Sequence, residues 1–292
     1  MDIKFYNRET KKVEIEKVYG DKAVKWLYGS TLGKFLSPLI CSSALSHFYG
    51  LFQSAPLSEG KIKPFIKNFN INMADYVEED FKSFNDFFIR KFKEGKRNFP
   101  LETNAMGSPC EARYYAYKKI VPELKIPVKG KFLSPRDLIK NEKWNHFFEN
   151  GPLLLARLCP VDYHRFHYPD SGYTLDSYPI HGKLHSVNPI ALKKRGSIFL
   201  ENERRVSILE TQNFGKLAYI EVGATMVGKI VQTHTAKSFQ RGAEKGYFLF
   251  GGSTVIVIGE PGKWIPDPDL LENTSNNLET YIKLGSPIAK VL

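Results

Sequence analysis

The stretch FLFGGSTVIV, residues 248–257, sets two adjacent glycines and a serine directly before a run of branched side chains. Threonine, valine and isoleucine favour β-strands, because their branched side chains pack well on a pleated surface. Glycine adopts the backbone angles that a tight turn needs. The stretch therefore predicts a tight turn followed by a strand that begins near Ser253.

Similar short runs recur after residue 100, separated by Gly and Pro, and they predict antiparallel β structure. These runs are residues 113–117, 153–158, 217–222 and 254–258. The first hundred residues differ, because segments 21–52 and 61–98 show an apolar spacing near 3.6, which is typical of helices. We therefore expect an α+β fold, in which a helical region of residues 1–100 packs on a mostly antiparallel β domain of residues 101–292.

The composition is that of a globular protein with an excess of positive charge. Apolar residues make up 42% and charged residues 25% of the 292 residues, which excludes a disordered chain or a collagen-like repeat. The net charge of +11 favours an anionic partner: nucleic acid, an acidic membrane surface or a phosphorylated substrate. Three cysteines, at positions 41, 110 and 159, are too far apart for a zinc ribbon and indicate reduced thiols.

No secretory signal is expected in residues 1–16, which carry charges throughout, and no run of about 20 apolar residues predicts a spanning helix. The most apolar segment, residues 35–52, is interrupted by polar residues and by Pro38. We expect it to be helical, either as an ordinary core helix or as a helix lying in a membrane interface. Aromatic residues and lysines beside an apolar face are what an interfacial helix needs. Here they are Trp26, Tyr28, Phe35, Phe48, Tyr49, Phe52, Lys22, Lys25 and Lys34.

Two of the seven histidines lie in the segment CPVDYHRFHYP, residues 159–169. Histidine changes its charge near neutral pH, so His164 and His167 form a candidate acid–base pair. In an extended segment, residues three apart point to opposite faces, which would give the two rings different roles. A zinc site would need further ligands at tetrahedral spacing, and no second pair is evident. A purely structural loop is the alternative.

Ser253 follows glycine, but its surroundings differ from the nucleophile elbow of a hydrolase. That elbow needs glycine two residues after the serine, where this chain has Val255. A Gly–Ser bond offers a different reaction: the serine hydroxyl can attack the preceding carbonyl, because Gly252 has no side chain to hinder the approach. A plain tight turn before a strand is the alternative.

Several further motifs accompany GGST along the chain. They are FNDFFIR (84–90), DYHRFH (162–167), SVNP (186–189), ENER (201–204), EVGATMVG (221–228), KGYF (245–248) and FGGSTV (250–255). On these motifs, which are distributed over more than half of the chain, the sequence resembles the phosphatidylserine decarboxylase proenzymes.

The resemblance implies self-cleavage followed by lipid decarboxylation. In the family the proenzyme cuts itself before this serine, so the scissile bond would be Gly252–Ser253. Ser253 would form an ester with the Gly252 carbonyl, and elimination and hydrolysis would then turn Ser253 into a pyruvoyl group. A β chain of residues 1–252 and an α chain of residues 253–292 would stay associated.

Four catalytic residues follow from the resemblance: Ser253, His167, Glu111 and His164. His167 would be the base that activates Ser253, and His164 would return a proton to the substrate. The acid that orients the base is Asp in the family, whereas Glu111 stands at its position here. The longer side chain moves the carboxylate by roughly 1.5 Å. An alternative is therefore an uncleaved, non-catalytic lipid-binding paralogue.

The pyruvoyl group made from Ser253 would form a Schiff base with the amine of phosphatidylserine and accept electrons as carbon dioxide leaves, giving phosphatidylethanolamine. The resemblance implies no metal and no diffusible cofactor. Ser186 and Asn188 are candidates for contact with the lipid phosphate, and a turn before Pro189 is the alternative. A soluble amino acid is an alternative substrate, against which the aromatic and lysine-rich N-terminal region argues.

A phospholipid substrate explains the positive charge and the N-terminal region together. Aromatic insertion and attraction to anionic lipid would hold a peripheral protein on a bilayer. We expect this protein at the cytoplasmic face of a bacterial cell membrane, with an anionic membrane surface as its partner. Nucleic acid is not expected, because no recognition motif accompanies the charge. Family members are commonly dimeric, so a homodimer is one candidate assembly.

Overall fold

The computed structural model describes most of the chain. The described residues are 3–17, 26, 30, 43–120, 134–194, 197–224, 229–251 and 253–292. Gly252, on one side of the predicted cleavage site, lies outside them, as do residues 35–42 of the predicted interfacial helix. Tyr28 and the lysines at 22, 25 and 34 also lie outside the described residues.

The described part of the chain contains sixteen strands in three sheets. The strands are β1 Lys4–Asn7, β2 Lys12–Ile15, β3 Ala105–Gly107, β4 Ala112–Tyr117, β5 Leu153–Leu158, β6 Arg165–His167, β7 Gly172–Ile180, β8 Arg204–Thr211, β9 Lys216–Val222, β10 Ile230–Gln232, β11 Ser238–Phe239, β12 Glu244–Phe248, β13 Ser253–Gly259, β14 Trp264–Pro266, β15 Glu279–Ile282 and β16 Pro287–Val291. Ten form one sheet in the order β11-β7-β8-β9-β13-β5-β4-β15-β1-β2, and the others form the sheets β10-β12-β6 and β14-β16-β3.

The described helices are short, and the first three pack mainly against one another. Those described are α1 Ser43–Ser54, α2 Ile62–Phe69, α3 Phe84–Phe88, α4 Pro135–Ile139, α5 Glu142–Asn145, α6 Pro189–Lys194, α7 Ile198–Glu201 and α8 Pro268–Ser275. Single 3-10 turns occur at Pro56–Lys61, Met73–Asp75 and His146–Phe148. The large and mostly antiparallel sheet with its short helices confirms the expected α+β fold.

Strand β13 lies in the interior of the large sheet and is buried along its whole length. It pairs with β5 on one side, where Ser253 lies opposite Leu158, and with β9 on the other. The sheet β10-β12-β6 packs over this region, since the rings of Phe166 and Tyr219 lie 6.3 Å apart between centroids. An uninterrupted apolar run is typical of a strand covered on both faces. The strands predicted near 113–117, 153–158, 217–222 and 254–258 are therefore confirmed as β4, β5, β9 and β13.

The expectation of a helical region from residue 1 to residue 100 is wrong at its start. Residues 4–15 form a β-hairpin of β1 and β2, and β1 pairs in parallel with β15 at the other end of the chain. The Asn7 side chain accepts the N–H of Glu9 at 3.0 Å within the turn. Strand β1 pairs with residues 274 positions further along the chain, and no local pattern reveals such a partner. The boundary at residue 100 stays a prediction.

Helix α1 contains the described part of the predicted interfacial segment. It packs on α3, because Asn85 Nδ2 donates to the Gly50 carbonyl at 3.2 Å and to Ser54 Oγ at 2.8 Å. Leu51 and Phe52, on the same helix, are exposed. Across the residues described, no helix is both long and apolar enough to cross a membrane.

Candidate active site

Ser253 is the first residue of β13, and its side chain is completely buried. Its Oγ lies 3.3 Å from Nδ1 of His164. Two residues earlier, Gly251 has φ = +145°, an angle that residues with a side chain rarely adopt. The glycine-rich turn and the buried strand together hold the Ser253 hydroxyl against one imidazole nitrogen.

The partners of His164 determine which of its nitrogens carries the proton. Nε2 lies 2.8 Å from the carbonyl oxygen of Cys159. A carbonyl oxygen can only accept, so Nε2 must donate and the neutral ring has its lone pair on Nδ1. That lone pair faces Ser253 Oγ, so the hydroxyl donates to His164. The arrangement is that of a base ready to take the serine proton.

Burial keeps His164 neutral. The ring is fully enclosed, and the loss of solvent lowers the pKa of His164 to about 3, a shift that the hydrogen bond to Cys159 opposes only in part. The ring of Phe88 is stacked on the imidazole, with 3.9 Å between centroids and 25° between planes. At neutral pH the imidazole is therefore unprotonated on Nδ1 and available to accept a proton.

Helix α3 brings the motif FNDFF against this site. Ser83 begins the helix by accepting the N–H of Asp86 at 3.2 Å. Asn85 Oδ1 accepts the N–H of Phe250 at 2.8 Å, and Phe88 stacks on His164. One short helix thus contacts both the turn before Ser253 and the histidine. The motif FNDFFIR contains Asn85 and Phe88, but no role was predicted for either residue; a polar residue within an aromatic run was a further signal in the sequence.

His167 and Glu111 have other partners than those predicted for them. His167 Nδ1 lies 2.9 Å from the Gly242 carbonyl, and Nε2 lies 3.2 Å from the Tyr163 hydroxyl. Within the described residues, no hydrogen bond joins His167 to Ser253 or to Glu111. The backbone N–H of His167 donates to the Pro109 carbonyl at 2.8 Å, which connects β6 to the segment that precedes Glu111.

The Glu111 carboxylate is held by an arginine. Arg97 Nε donates to Glu111 Oε2 at 2.6 Å, and the Tyr281 hydroxyl donates to Oε1 at 2.8 Å. Both members of the ion pair are largely buried, so the pair is poorly screened by solvent. A carboxylate that is occupied in this way does not orient His167 in this structure. The roles that the resemblance gives to His167 and Glu111 stay predictions.

Ser186 and Asn188 form a turn. The Asn188 N–H donates to Ser186 Oγ at 3.2 Å, and the Asn188 carbonyl accepts the N–H of Leu192 at the start of α6. This pattern is typical of a serine-stabilised turn. The structure therefore shows the turn that was the alternative, and contact with a lipid phosphate stays a prediction.

The remaining chemistry-bearing side chains give no metal site in the described regions. There, no three or more His, Cys, Asp and Glu side chains come together to hold an ion. Cys110 and Cys159 are both buried and unpaired as thiols. Burial raises the pKa of each thiol, which disfavours the thiolate that binds metals or attacks substrates.

The buried neutral His164 predicts a loss of stability in acid. Above pH 6.5 the ring is neutral in the folded and the unfolded chain, and it contributes nothing to the pH dependence. Between pH 6.5 and about 3 only the unfolded chain binds the proton, so stability falls by up to about 1.4 kcal/mol per pH unit. Urea unfolding of the single-chain Ser253→Ala protein at pH 6.5, 5.5 and 4.5 measures this slope. Adding His164→Gln should make the slope smaller, although His167, whose pKa burial also lowers, keeps part of it. An unchanged slope would contradict the prediction.

Comparison with known proteins places these residues in a family context. Residues 84–290 match the sequence profile of the family described as phosphatidylserine decarboxylase. A protein of Clostridium tetani named phosphatidylserine decarboxylase proenzyme is 45% identical over 291 residues, which cover 99% of this chain and 98% of that protein. Proteins of the same name from Clostridium kluyveri and Desulfitobacterium hafniense are 44% and 41% identical over 290 residues, with coverage of 97% or more on both sides.

Proposed function

The chain belongs to the phosphatidylserine decarboxylase family, and on this premise we propose that it cuts itself before Ser253 and then decarboxylates phosphatidylserine as a carboxy-lyase. The observation that carries the proposal is the contact between Ser253 Oγ and the free lone pair of His164 Nδ1. Relatives that match almost the whole chain are named proenzymes, which supports a precursor that is processed. The alternative of an uncleaved, non-catalytic lipid-binding paralogue has no support among them.

In the first reaction the hydroxyl of Ser253 gives its proton to His164 Nδ1 and attacks the carbonyl carbon of Gly252. The peptide C–N bond breaks as the new C–O ester forms, and the amine of Ser253 takes up the proton. Elimination across Cα–Cβ of Ser253 then releases Gly252 as a carboxylate, the end of the β chain. The dehydroalanine left at position 253 hydrolyses with loss of ammonia, which leaves a pyruvoyl group on the α chain.

The surroundings of Ser253 fit such a group. Strands β5 and β9 hold β13 on both sides, so a new chain end at residue 253 stays fixed and buried. The pyruvoyl carbonyl supplies an electron sink for the loss of carbon dioxide. Ser253 and His164 are both fully buried, and Phe88 covers one face of the imidazole, which limits the access of water. His164 is neutral and its Nδ1 faces residue 253, so it can take a proton from the substrate ammonium group and then return that proton to the substrate carbon.

Intact-mass spectrometry combined with a lipid assay tests the proposal. The purified protein should consist of two chains, residues 1–252 and 253–292, the smaller with a pyruvoyl terminus. With vesicles that contain phosphatidylserine it should release carbon dioxide and form phosphatidylethanolamine. A single unmodified chain of 33.4 kDa, or cleaved chains that release no carbon dioxide, would reject the proposal.

A further part of the proposal concerns the membrane. Leu51 and Phe52 on α1 are exposed, as is Leu57 in the following 3-10 turn at 86%. The ammonium group of Lys61 lies 4.7 Å from the centre of the Phe52 ring, which combines an aromatic face with a cation. Exposed apolar side chains beside a lysine suit the interface of an anionic bilayer. Since α1 packs on α3, this surface is connected to the site through one helix.

We accordingly infer a peripheral protein at the cytoplasmic face of a bacterial membrane. Replacing Phe52 and Leu57 by Asp should lower co-sedimentation with phosphatidylserine vesicles at least several-fold, because two apolar anchors become charged. Leu101→Asp is the matched control, since Leu101 is 95% exposed and lies outside this surface. Equal vesicle binding by the wild type, the Phe52→Asp/Leu57→Asp variant and Leu101→Asp would count against the inference.

Sedimentation equilibrium of the cleaved protein measures its mass in solution and so tests the homodimer.

A further inference from the structure

A buried cluster of charges lies directly behind the segment that carries His164. Arg157 donates to Glu16 at 2.6 Å and to Glu279 at 2.5 Å. Arg113 donates to Asp162 at 2.6 Å, and its Nε lies 3.0 Å from Glu16. All five side chains are at most 6% exposed, so solvent does not screen them. Buried charges are costly unless they are paired, so each member of the cluster is fixed by its partners.

Asp162 connects this cluster to the backbone of a tight turn. Its Oδ2 accepts the N–H of Cys159 at 2.6 Å in addition to the guanidinium of Arg113. The N–H of Asp162 itself donates to the Cys159 carbonyl at 2.9 Å. Residue 159 is thus held by Asp162 at both its N–H and its carbonyl group. The carboxylate, with Arg113 behind it, holds the N–H side of residue 159, and the backbone N–H of Asp162 holds the carbonyl side.

The same carbonyl is the group that sets the tautomer of His164. It accepts the Nε2 proton at 2.8 Å, which leaves the lone pair of Nδ1 facing Ser253. If the Cys159 carbonyl turned away, Nε2 would lose its acceptor and the proton could reside on either nitrogen. The Nδ1–H tautomer cannot accept from the Ser253 hydroxyl. A base must be held by a third group in the correct tautomer, and a backbone carbonyl provides this here.

We propose that Asp162 is a positioning residue, which fixes His164 in its Nε2–H tautomer by clamping the turn whose Cys159 carbonyl accepts that proton. Three hydrogen bonds separate Asp162 from Ser253: Asp162 to Cys159, Cys159 to His164 and His164 to Ser253. Its part is to accept the Cys159 N–H. The effect on the reaction rests on the proposed function, whereas the effect on the tautomer does not.

Nitrogen chemical shifts of ¹⁵N-labelled histidine read the tautomer in the full-length Ser253→Ala chain, which cannot react. His164→Gln in the same chain identifies the signals of His164. With Asp162 intact we expect one tautomer with the proton on Nε2. Asp162→Ala should give averaged shifts from a mixture, while Asp162→Asn, which keeps an accepting oxygen, should retain the single tautomer. Arg113→Met keeps Asp162 but removes the guanidinium that binds its carboxylate, so we expect a partial mixture of the two His164 tautomers.

Asp170 provides a matched control for the loss of a buried Asp–Arg pair. It also accepts one backbone N–H, from Asn213 at 2.9 Å, and one guanidinium, from Arg241 at 2.8 Å, and it is 1% exposed. Asp170→Ala should lower the melting temperature without changing the His164 shifts. An unchanged tautomer in Asp162→Ala, or an equal change in Asp170→Ala, would overturn the proposal. If Asp162→Ala does not fold, the His164 shifts of Arg113→Met are compared with those of Asp170→Ala. A change in Arg113→Met alone supports the proposal, and no change or an equal change overturns it.

In the reactive protein, kinetics separate positioning from substrate binding. Per mole of cleaved chain, kcat of Asp162→Ala should fall about 10- to 100-fold, the size expected for a base displaced by about 1 Å. KM should change less than twofold, because Asp162 lies behind the histidine. Asp162→Asn should recover most of kcat. A kcat of Asp162→Ala within twofold of wild type would reject the kinetic part, even with a mixed tautomer. If the wild-type chain has no decarboxylase activity, the proposed function fails and the tautomer experiment still decides the role of Asp162.

Discussion

Ser253→Ala is expected to leave the chain as one polypeptide of 33.4 kDa and to abolish decarboxylation completely. Alanine has no hydroxyl, so neither the ester with Gly252 nor the pyruvoyl group can form. The loss should therefore reach the background of the assay. Intact-mass spectrometry measures the first effect, and carbon dioxide release from phosphatidylserine vesicles measures the second.

Ser207→Ala is the matched control for this experiment. Ser207 is also a buried serine of the large sheet, on β8, and its Oγ lies 3.2 Å from Ser177 Oγ, away from His164. The Ser207→Ala chain should be cleaved and active. Cleavage of Ser253→Ala between residues 252 and 253 would refute the serine mechanism. An uncleaved Ser207→Ala chain would show that the assay reports general damage to the sheet.

His164→Ala is expected to lower the decarboxylation rate per cleaved chain by about 10²- to 10⁴-fold, the usual contribution of a positioned acid or base. His164 contacts residue 253 and has a neutral ring at the pH of the reaction. Its loss removes the base that takes a proton from the substrate ammonium group and returns it to the substrate carbon, and also the stacking partner of Phe88. The measurement is the initial rate divided by the fraction of cleaved chain. Normal turnover of cleaved His164→Ala would contradict this assignment.

The rate of self-cleavage in the same variants assigns the base of the first reaction. From the geometry we expect His164→Ala to be cleaved more slowly than His167→Ala, because only His164 is hydrogen-bonded to Ser253 in the described structure. The reverse order would assign the base to His167, as the family resemblance implies, and would require a rearrangement around Glu111 and Arg97. His234→Ala is the control, because the His234 ring contacts the Tyr168 hydroxyl rather than Ser253. It should be cleaved at the wild-type rate.

Local sequence patterns predicted the strands near Ser253 well, because their side chains are apolar or branched and both faces are buried. The run 153–158 matches β5 at both ends, and 254–258 lies within β13. The hairpin of residues 4–15 was missed, since its strands are charged, short and stabilised by pairing with β15. Propensity carries no information about a partner so distant in the chain.

The sequence predicted which residues belong to the candidate site better than it predicted their contacts with one another. Ser253 and both histidines were predicted as site residues, and their roles stay predictions. The spacing of three residues predicted different roles for the two rings, and the two rings have different partners. Which ring contacts Ser253 depends on the turn at Cys159 and on α3, and neither is visible in the motif itself. Glu111 illustrates the same limit, because its position in the motif does not reveal that Arg97 occupies its carboxylate. Asp162 lay in a quoted motif, yet its contact with the Cys159 N–H required the fold.

The position of β13 between β5 and β9 dictates an order of events in the life of the protein. Residues 253–292 contribute β13, β14, β15 and β16, which are distributed over two sheets, and β15 lies between β1 and β4. In the proposed reaction Ser253 contacts His164 only after β13 has been inserted between β5 and β9, so assembly precedes cleavage. If residues 1–252 and 253–292 were synthesised separately, the second piece would have to insert β13 between β5 and β9 of a sheet that lacks its central strand. In that reaction the covalent link at residue 252 serves assembly, and it is no longer needed once the sheets are complete.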